Sequence, residues 1–142
     1  MFNKKKWFCC CTPLLIGGMI YIGFRTEKLL MFKWFEYIRI MKYIRFFREI
    51  TKQIKLPEFF IFSFPNGLWT ISFLIFINIT TTNTIRKILV ILVVFITIGF
   101  EFAQFLKLIP GTFCLIDNLT NIFSIVLALK INKKMRCKNE NI

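Results

Sequence analysis

Glu101 and Gln104 stand three residues apart, and Asp117 and Asn121 four apart, within the apolar run GFEFAQFLKLIPGTFCLIDNLTNIF. At those spacings each pair shares one face of a helix. Two carboxylates accompanied by two carboxamides can contact the polar part of a ligand, couple to a cation, or serve as an acid/base pair. The whole chain holds only seven Asp and Glu. Placing two of them where water is scarce is expensive, and ionisable residues in such a setting are functional candidates by default.

The elements that must position these groups follow from composition. The chain has 142 residues, 56% of them hydrophobic and nineteen of them Phe. About a third of the surface exposed by an unfolded chain of this size stays wet after folding, so a soluble domain could not hide that much apolar area. The expected fold class is an all-α membrane protein, a single integral membrane domain over residues 1–142. The net charge of +13 comes without any His. With several apolar spans present, the partner implied is membrane lipid, through anionic head groups; no nucleic-acid motif accompanies the charge, and no nucleic-acid partner is expected. The five Cys show no C-x-x-C and no ligand spacing, so no metal and no cofactor is expected. Cys9, Cys10 and Cys11 beside Trp7 suit small apolar filler at a helix start, with acylation as the alternative.

Four transmembrane helices are expected. The first covers about 7–24, preceded by three lysines; its eighteen uncharged residues rise about 27 Å as a helix, close to the hydrocarbon thickness. A cleaved signal peptide is the competing identity, but no small-residue cleavage site follows. The second covers about 59–80 and is interrupted early by Pro65 and Gly67. Either residues 59–64 enter as a non-helical or re-entrant piece, or the helix kinks at Pro65. The third covers about 88–106 and the fourth about 112–131, followed by a basic tail. The connection Lys107–Gly111 between them is short enough to make them an antiparallel pair. The matches to glycosylation sequons at Asn78 and Asn118 fall at or within spans and carry no weight.

Residues 28–52 are apolar-rich but carry Lys33, Glu36, Arg39, Lys42 and Arg45. At about 3 kcal/mol per charge near a helix centre, they do not form a fifth span. A basic amphipathic interfacial segment is expected between helices one and two. Lys28, Glu36 and Arg39 share one helical face and Lys42, Arg45, Glu49 and Lys52 another. Two short helices, or one bent one, accommodate that drift better than a straight rod. Lys and Arg number ten on each side of the four spans, so the positive-inside rule gives no orientation. The tail and the lysine triplet favour termini in the cytoplasm, whereas the lipid-binding connector favours the reverse, since anionic lipid is richest on the cytoplasmic leaflet.

In this arrangement the odd residues meet. Glu101 lies about five residues before the end of the third span and Asp117 about five into the fourth, so both sit about 7 to 8 Å inside the same membrane surface. The end of the first span and the start of the second add Tyr21, Arg25, Asn66 and Trp69 on that side. A shallow polar pocket is expected, formed by Arg25, Glu101, Gln104, Asp117 and Asn121, with Arg25 as counter-ion and Tyr21, Asn66 and Trp69 as additional members. A purely structural polar clasp, worth about 0.6 to 2 kcal/mol per contact, is the alternative.

The Tyr21-and-Arg25 end of the first span, FPNGLW opening the second, EFAQ closing the third and GTFCLIDNLTN opening the fourth resemble the VanZ-like membrane proteins. The likeness runs from about Tyr21 to Leu129. The chain departs from that pattern at Cys114, where the family has an Asp, and at Ser124, near where it has a Gly. The resemblance implies a small multi-pass protein of a bacterial cell membrane, related to proteins linked to glycopeptide (teicoplanin) resistance. The alternatives are a small cation-coupled transporter and a non-catalytic accessory subunit held by its basic segment. An enzyme is not expected: Ser124 has no base partner in reach, and a thiol role for Cys114 has no support beyond its spacing from Asp117.

Overall fold

The structure, a computed structural model, describes the backbone of residues 4–108 and 113–140 and the side chains of 6–108 and 113–135. It is all-helical over the described residues: α1 (Lys4–Phe24), α2 (Leu30–Tyr37), α3 (Met41–Thr51), α4 (Glu58–Thr80), α5 (Asn83–Phe105) and α6 (Leu115–Glu140). Four of these, α1, α4, α5 and α6, are long and apolar enough to cross a membrane.

α4 is the centre of the bundle, and both α1 and α6 pack against it along their length. Half of the residues it buries are small or hydroxyl-bearing, Ser63, Gly67, Thr70 and Ser72, beside Pro65, Leu74, Ile75 and Ile77. Small residues let helix backbones approach closely, which is how apolar helices gain van der Waals contact where no hydrophobic force acts between them. A Cβ added at Gly17 of α1 would lie 2.7 Å from Trp69 Nε1, and one at Gly67 of α4 would lie 2.6 Å from Ser124 Oγ. At the far end of the bundle Leu74, Ile125 and Ala128 form the apolar core, with Val90, Val94 and Ile98 of α5 against it. α5 itself buries no residue.

Polar links cross both interfaces. Ser72 Oγ donates to the Cys10 carbonyl at 2.6 Å, and Cys10 Sγ donates back to the Ser72 carbonyl at 3.5 Å. Asn132 Nδ2 donates to the Leu74 carbonyl at 3.0 Å. Ser72→Ala is expected to lower stability by about 1 kcal/mol, read as a lower thermal midpoint in detergent. An unchanged midpoint means that this pair does not hold α1 to α4.

The boundaries correct several expectations. α4 is helical through residues 59–64, so no non-helical entry precedes Pro65. Proline leaves the carbonyl one turn earlier without its ladder donor, but here the ring is fully buried against the bundle. The first turns are also braced by aromatic contacts, Phe60 with Phe64 at 5.3 Å and Phe59 with Phe60 at 5.3 Å between centroids. The 23 residues of α4 then rise about 35 Å, enough to span. α5 begins at Asn83, ahead of the expected 88, because Arg86 turns back and donates to Asn83 Oδ1 and the Thr81 carbonyl. α6 runs on through the basic tail to Glu140, since nothing after Ile131 breaks a helix. Its start is at Leu115; residues 109–112 of the connection between α5 and α6, the Gly111–Thr112 part of the motif among them, lie outside the described residues.

The connector forms two helices, α2 and α3, hinged at Arg39, whose φ is +60°. Arg39 N–H donates to the Glu36 carbonyl and Ile40 N–H to the Phe35 carbonyl, a Schellman closure with arginine in the left-handed position. Lys107 closes α5 in the same way, at φ +56°. The charged residues Lys28, Glu36, Arg39, Lys42, Arg45, Glu49 and Lys52 are exposed, whereas Phe32, Ile44 and Thr51 are buried. α3 packs on the end of α1.

Candidate functional site

The site forms where α4, α5, α6 and the end of α1 meet. One face of α4 supplies Phe59, Phe62, Ser63 and Asn66, at the i, i+3, i+4, i+7 spacing of a single helical stripe. α5 supplies Glu101 and Gln104 from its last turns, α6 supplies Asp117, and Arg25 enters from just beyond α1. Together with Glu58, Cys114 and Ile116 they line a cavity of about 420 Å³, within the usual range for a small-molecule site.

Arg25 is held by aromatic rings. Its guanidinium carbon lies 4.5 Å from the centroid of Phe62 and 5.2 Å from that of Tyr21, distances at which the ring quadrupole attracts a cation. Tyr21 in turn packs on Trp69, centroid to centroid 5.2 Å. Arg25 makes no ion pair with Glu101 or Asp117. Its Nε is buried without a partner, as are Glu101 Oε2 and Asp117 Oδ1. Glu101 stands close enough to Asp117 for the two charges to repel, and beside the backbone of Cys114.

Of the residues expected to meet, the structure brings Arg25, Glu101, Gln104, Asp117 and Asn66 onto one cavity wall. Asn121 is not on that wall: it is 4% exposed, one turn further along α6, with Oδ1 unpartnered. Tyr21 and Trp69 are not on it either and act one step back, through Arg25. The expected counter-ion contact from Arg25 is absent because the aromatic faces hold its side chain.

Glu58, Phe62 and Ser63 were not anticipated. They become visible once α4 is taken to start before Pro65, because the stripe through Asn66 then extends back to them. Also unanticipated is the clasp beneath the cavity. Arg48 of α3 donates to the Ile22 carbonyl at 2.6 Å and the Arg25 carbonyl at 2.8 Å. It pairs with Glu27 at 3.3 Å and lies over the Phe32 ring at 5.2 Å. Thr51 Oγ1 adds a bond to the Gly23 carbonyl at 3.3 Å. No local sequence signal separates Arg48 from the other basic residues of the connector.

Chemically, the wall carries three carboxylates against one guanidinium, with hydroxyl and carboxamide groups between them. No group of His, Cys, Asp and Glu among the described residues is gathered as a metal-ligand set. No protein-family model, no curated protein and no solved structure matches this chain. Over its described residues the chain is an all-helical bundle, with four helices long and apolar enough to cross a membrane and a polar cavity at one end of them.

Proposed function

We propose that this is a multi-pass membrane protein of VanZ-like type, resident in a bacterial cell membrane, whose cavity binds the polar part of a membrane-borne or envelope component. The observation that carries this proposal is the set of three buried, unpartnered charged atoms, Arg25 Nε, Glu101 Oε2 and Asp117 Oδ1, on the wall of one cavity. Buried polar groups left unsatisfied are costly, and a site that retains both signs of charge unpaired is built for something that brings partners for both. Membrane residence is supported by the outer surface. Ile91, Phe95 and Phe100 of α5 are each more than half exposed, as are Phe8, Leu15 and Phe123 elsewhere. Apolar patches of that extent are a liability in water and ordinary in lipid.

The exposed basic faces of α2 and α3 suit anionic lipid head groups beside the cavity. Non-catalytic binding is proposed, with teicoplanin susceptibility as the readout suggested by the VanZ-like motifs. Glu101→Gln removes one carboxylate at nearly constant volume. Expressed in a bacterial host, it is expected to abolish the change in glycopeptide susceptibility that the wild type confers, while fractionating with membranes at the wild-type level. Unchanged susceptibility in that variant removes the cavity from the function. The acid excess of the cavity also favours a second proposal, a small cation-coupled transporter, for which pH-dependent flux into proteoliposomes is the test.

A further inference from the structure

A second, apolar cavity lies beside the polar one. Between α4 and α6 runs a groove of about 550 Å³ lined by Phe60, Phe64 and Leu68 on one side and Leu119, Phe123 and Leu127 on the other. Phe59 and Ile116 line both the groove and the polar cavity, so the two adjoin. From Ile116 to Leu127 the groove follows α6 for about 17 Å, a little more than half of a hydrocarbon core of about 30 Å. That is the reach of an acyl chain within one leaflet. A charged cavity beside such a groove matches an amphipathic molecule.

The charges select the head group. Arg25 offers a buried, unpartnered N–H, the donor a phosphate oxygen needs. Glu101 and Asp117 each offer a buried, unpartnered carboxylate oxygen. A primary ammonium carries three N–H donors and can meet both carboxylates at once. A quaternary ammonium has none, and of the two rings on the cavity wall Phe62 is already engaged by Arg25 at 4.5 Å and Phe59 packs against Phe60 and Phe64. An anionic head group without an ammonium meets Arg25 but is repelled by Glu58, Glu101 and Asp117.

We propose that the cavity and groove together bind a phospholipid whose head group carries both a phosphate and a primary ammonium. The phosphate lies against Arg25, the ammonium between Glu101 and Asp117, and one acyl chain in the α4–α6 groove. This rests on the ligand-binding role proposed above and names the ligand class.

The test equilibrates the purified full-length protein in detergent with equimolar dioleoyl-phosphatidylethanolamine, -phosphatidylcholine and -phosphatidylglycerol, and quantifies retained lipid by native mass spectrometry. Phosphatidylethanolamine is expected to be retained about tenfold over the other two, the discrimination supplied by one charge-assisted hydrogen bond. The double variant Glu101→Gln/Asp117→Asn is expected to bring the three lipids to near parity. Leu119→Trp, which fills the groove, is expected to reduce retention of the intact lipid without restoring binding of phosphatidylcholine. Equal retention of the ethanolamine and choline lipids by the wild type overturns the proposal without recourse to any variant, as does an undiminished preference in a folded double variant. Loss of the susceptibility phenotype in Glu101→Gln together with equal lipid retention overturns the head-group assignment and leaves the role of the cavity standing. A clear ethanolamine preference with no phenotype does the reverse.

Discussion

Gly67→Ala is expected to destabilise the bundle by about 1 to 3 kcal/mol, the cost of overpacking a closely fitted interface. The added Cβ would stand 2.6 Å from Ser124 Oγ and 2.9 Å from Thr120 Cγ2, closer than atoms tolerate, and both neighbours sit on α6. Ser124 cannot swing far because it is itself buried between the helices, and Thr120 is held by its hydrogen bond to the Ile116 carbonyl at 2.7 Å. Gly99 supplies the control: a Cβ there meets nothing within 4 Å, so Gly99→Ala should gain about 0.5 to 1 kcal/mol from the lower cost of ordering alanine in a helix. The same chemical change at two glycines therefore moves stability in opposite directions. Ser124→Ala added to Gly67→Ala removes the nearer clash, since the Cβ of Ser124 is 3.7 Å away, and should recover part of the loss. Changing Thr120 to Ser should recover more. Thermal unfolding in a fixed detergent measures all of these. Equal midpoints for Gly67→Ala and Gly99→Ala show that α4 and α6 are not in the close contact described here.

Arg48→Ala is the second large effect expected. α1 ends at Phe24, and the last carbonyls of a helix have no donor within it. At the edge of a bilayer, where the proposed membrane residence puts this helix end, water cannot be counted on to supply one. Arg48, 15% exposed at its side chain, covers two carbonyls at the end of this helix, those of Ile22 and Arg25. Hydrogen bonds from a charged donor contribute about 1.5 to 3 kcal/mol each, and two on one side chain are not additive, so about 3 kcal/mol is the expected loss. Arg48→Lys keeps the charge but not the fork and should lose about half as much. Glu27→Gln should cost less than about 1 kcal/mol, because Glu27 is 45% exposed and its pairing is screened by solvent. Backbone amide exchange at residues 22–26 is expected to quicken in Arg48→Ala and much less in Arg48→Lys. Unaltered exchange there means the clasp does not hold the end of α1. Because the clasp grips the carbonyl of Arg25, its loss should also weaken whatever Arg25 binds in the cavity.

Much of this arrangement is legible in the sequence, for physical reasons that differ between elements. The four long helices follow from apolar runs long enough to leave no other fate for their backbones. The proximity of Glu101 and Asp117 follows from equal depths on either side of a short connection. The two-helix connector follows from charges that drift around the axis. Pro65 left two outcomes open, a non-helical entry or a helix running through it, and the structure takes the second; burial between helices, which decides this, is not visible in a single sequence. The length of α6 was masked by its charges: lysines end an apolar run without ending a helix. Asn121 shares a face with Asp117, yet the cavity closes one turn before it, a difference of a few ångströms that spacing alone does not resolve. The clasp was illegible for a simple reason. A basic residue turned inward and one turned outward have the same letter, and only the position of α3 against α1 tells Arg48 from Arg45.

The central position of α4 also sets an order of events during synthesis. Chains emerge from the ribosome N-terminus first, so α1 and the connector precede the helix on which α1 packs, and α6 comes last of all. Once α4 is inserted its α1 side can close at once, with Gly17 beneath Trp69. Its other side, with Gly67 uncovered, must wait through the whole of α5, a helix that finds little there to grip. The nascent protein thus passes through a half-built stage in which Arg25 is already anchored while Glu101 and Asp117, two of the three carboxylates that face its cavity, are still untranslated. The C-terminal hairpin arrives as the cover that completes it.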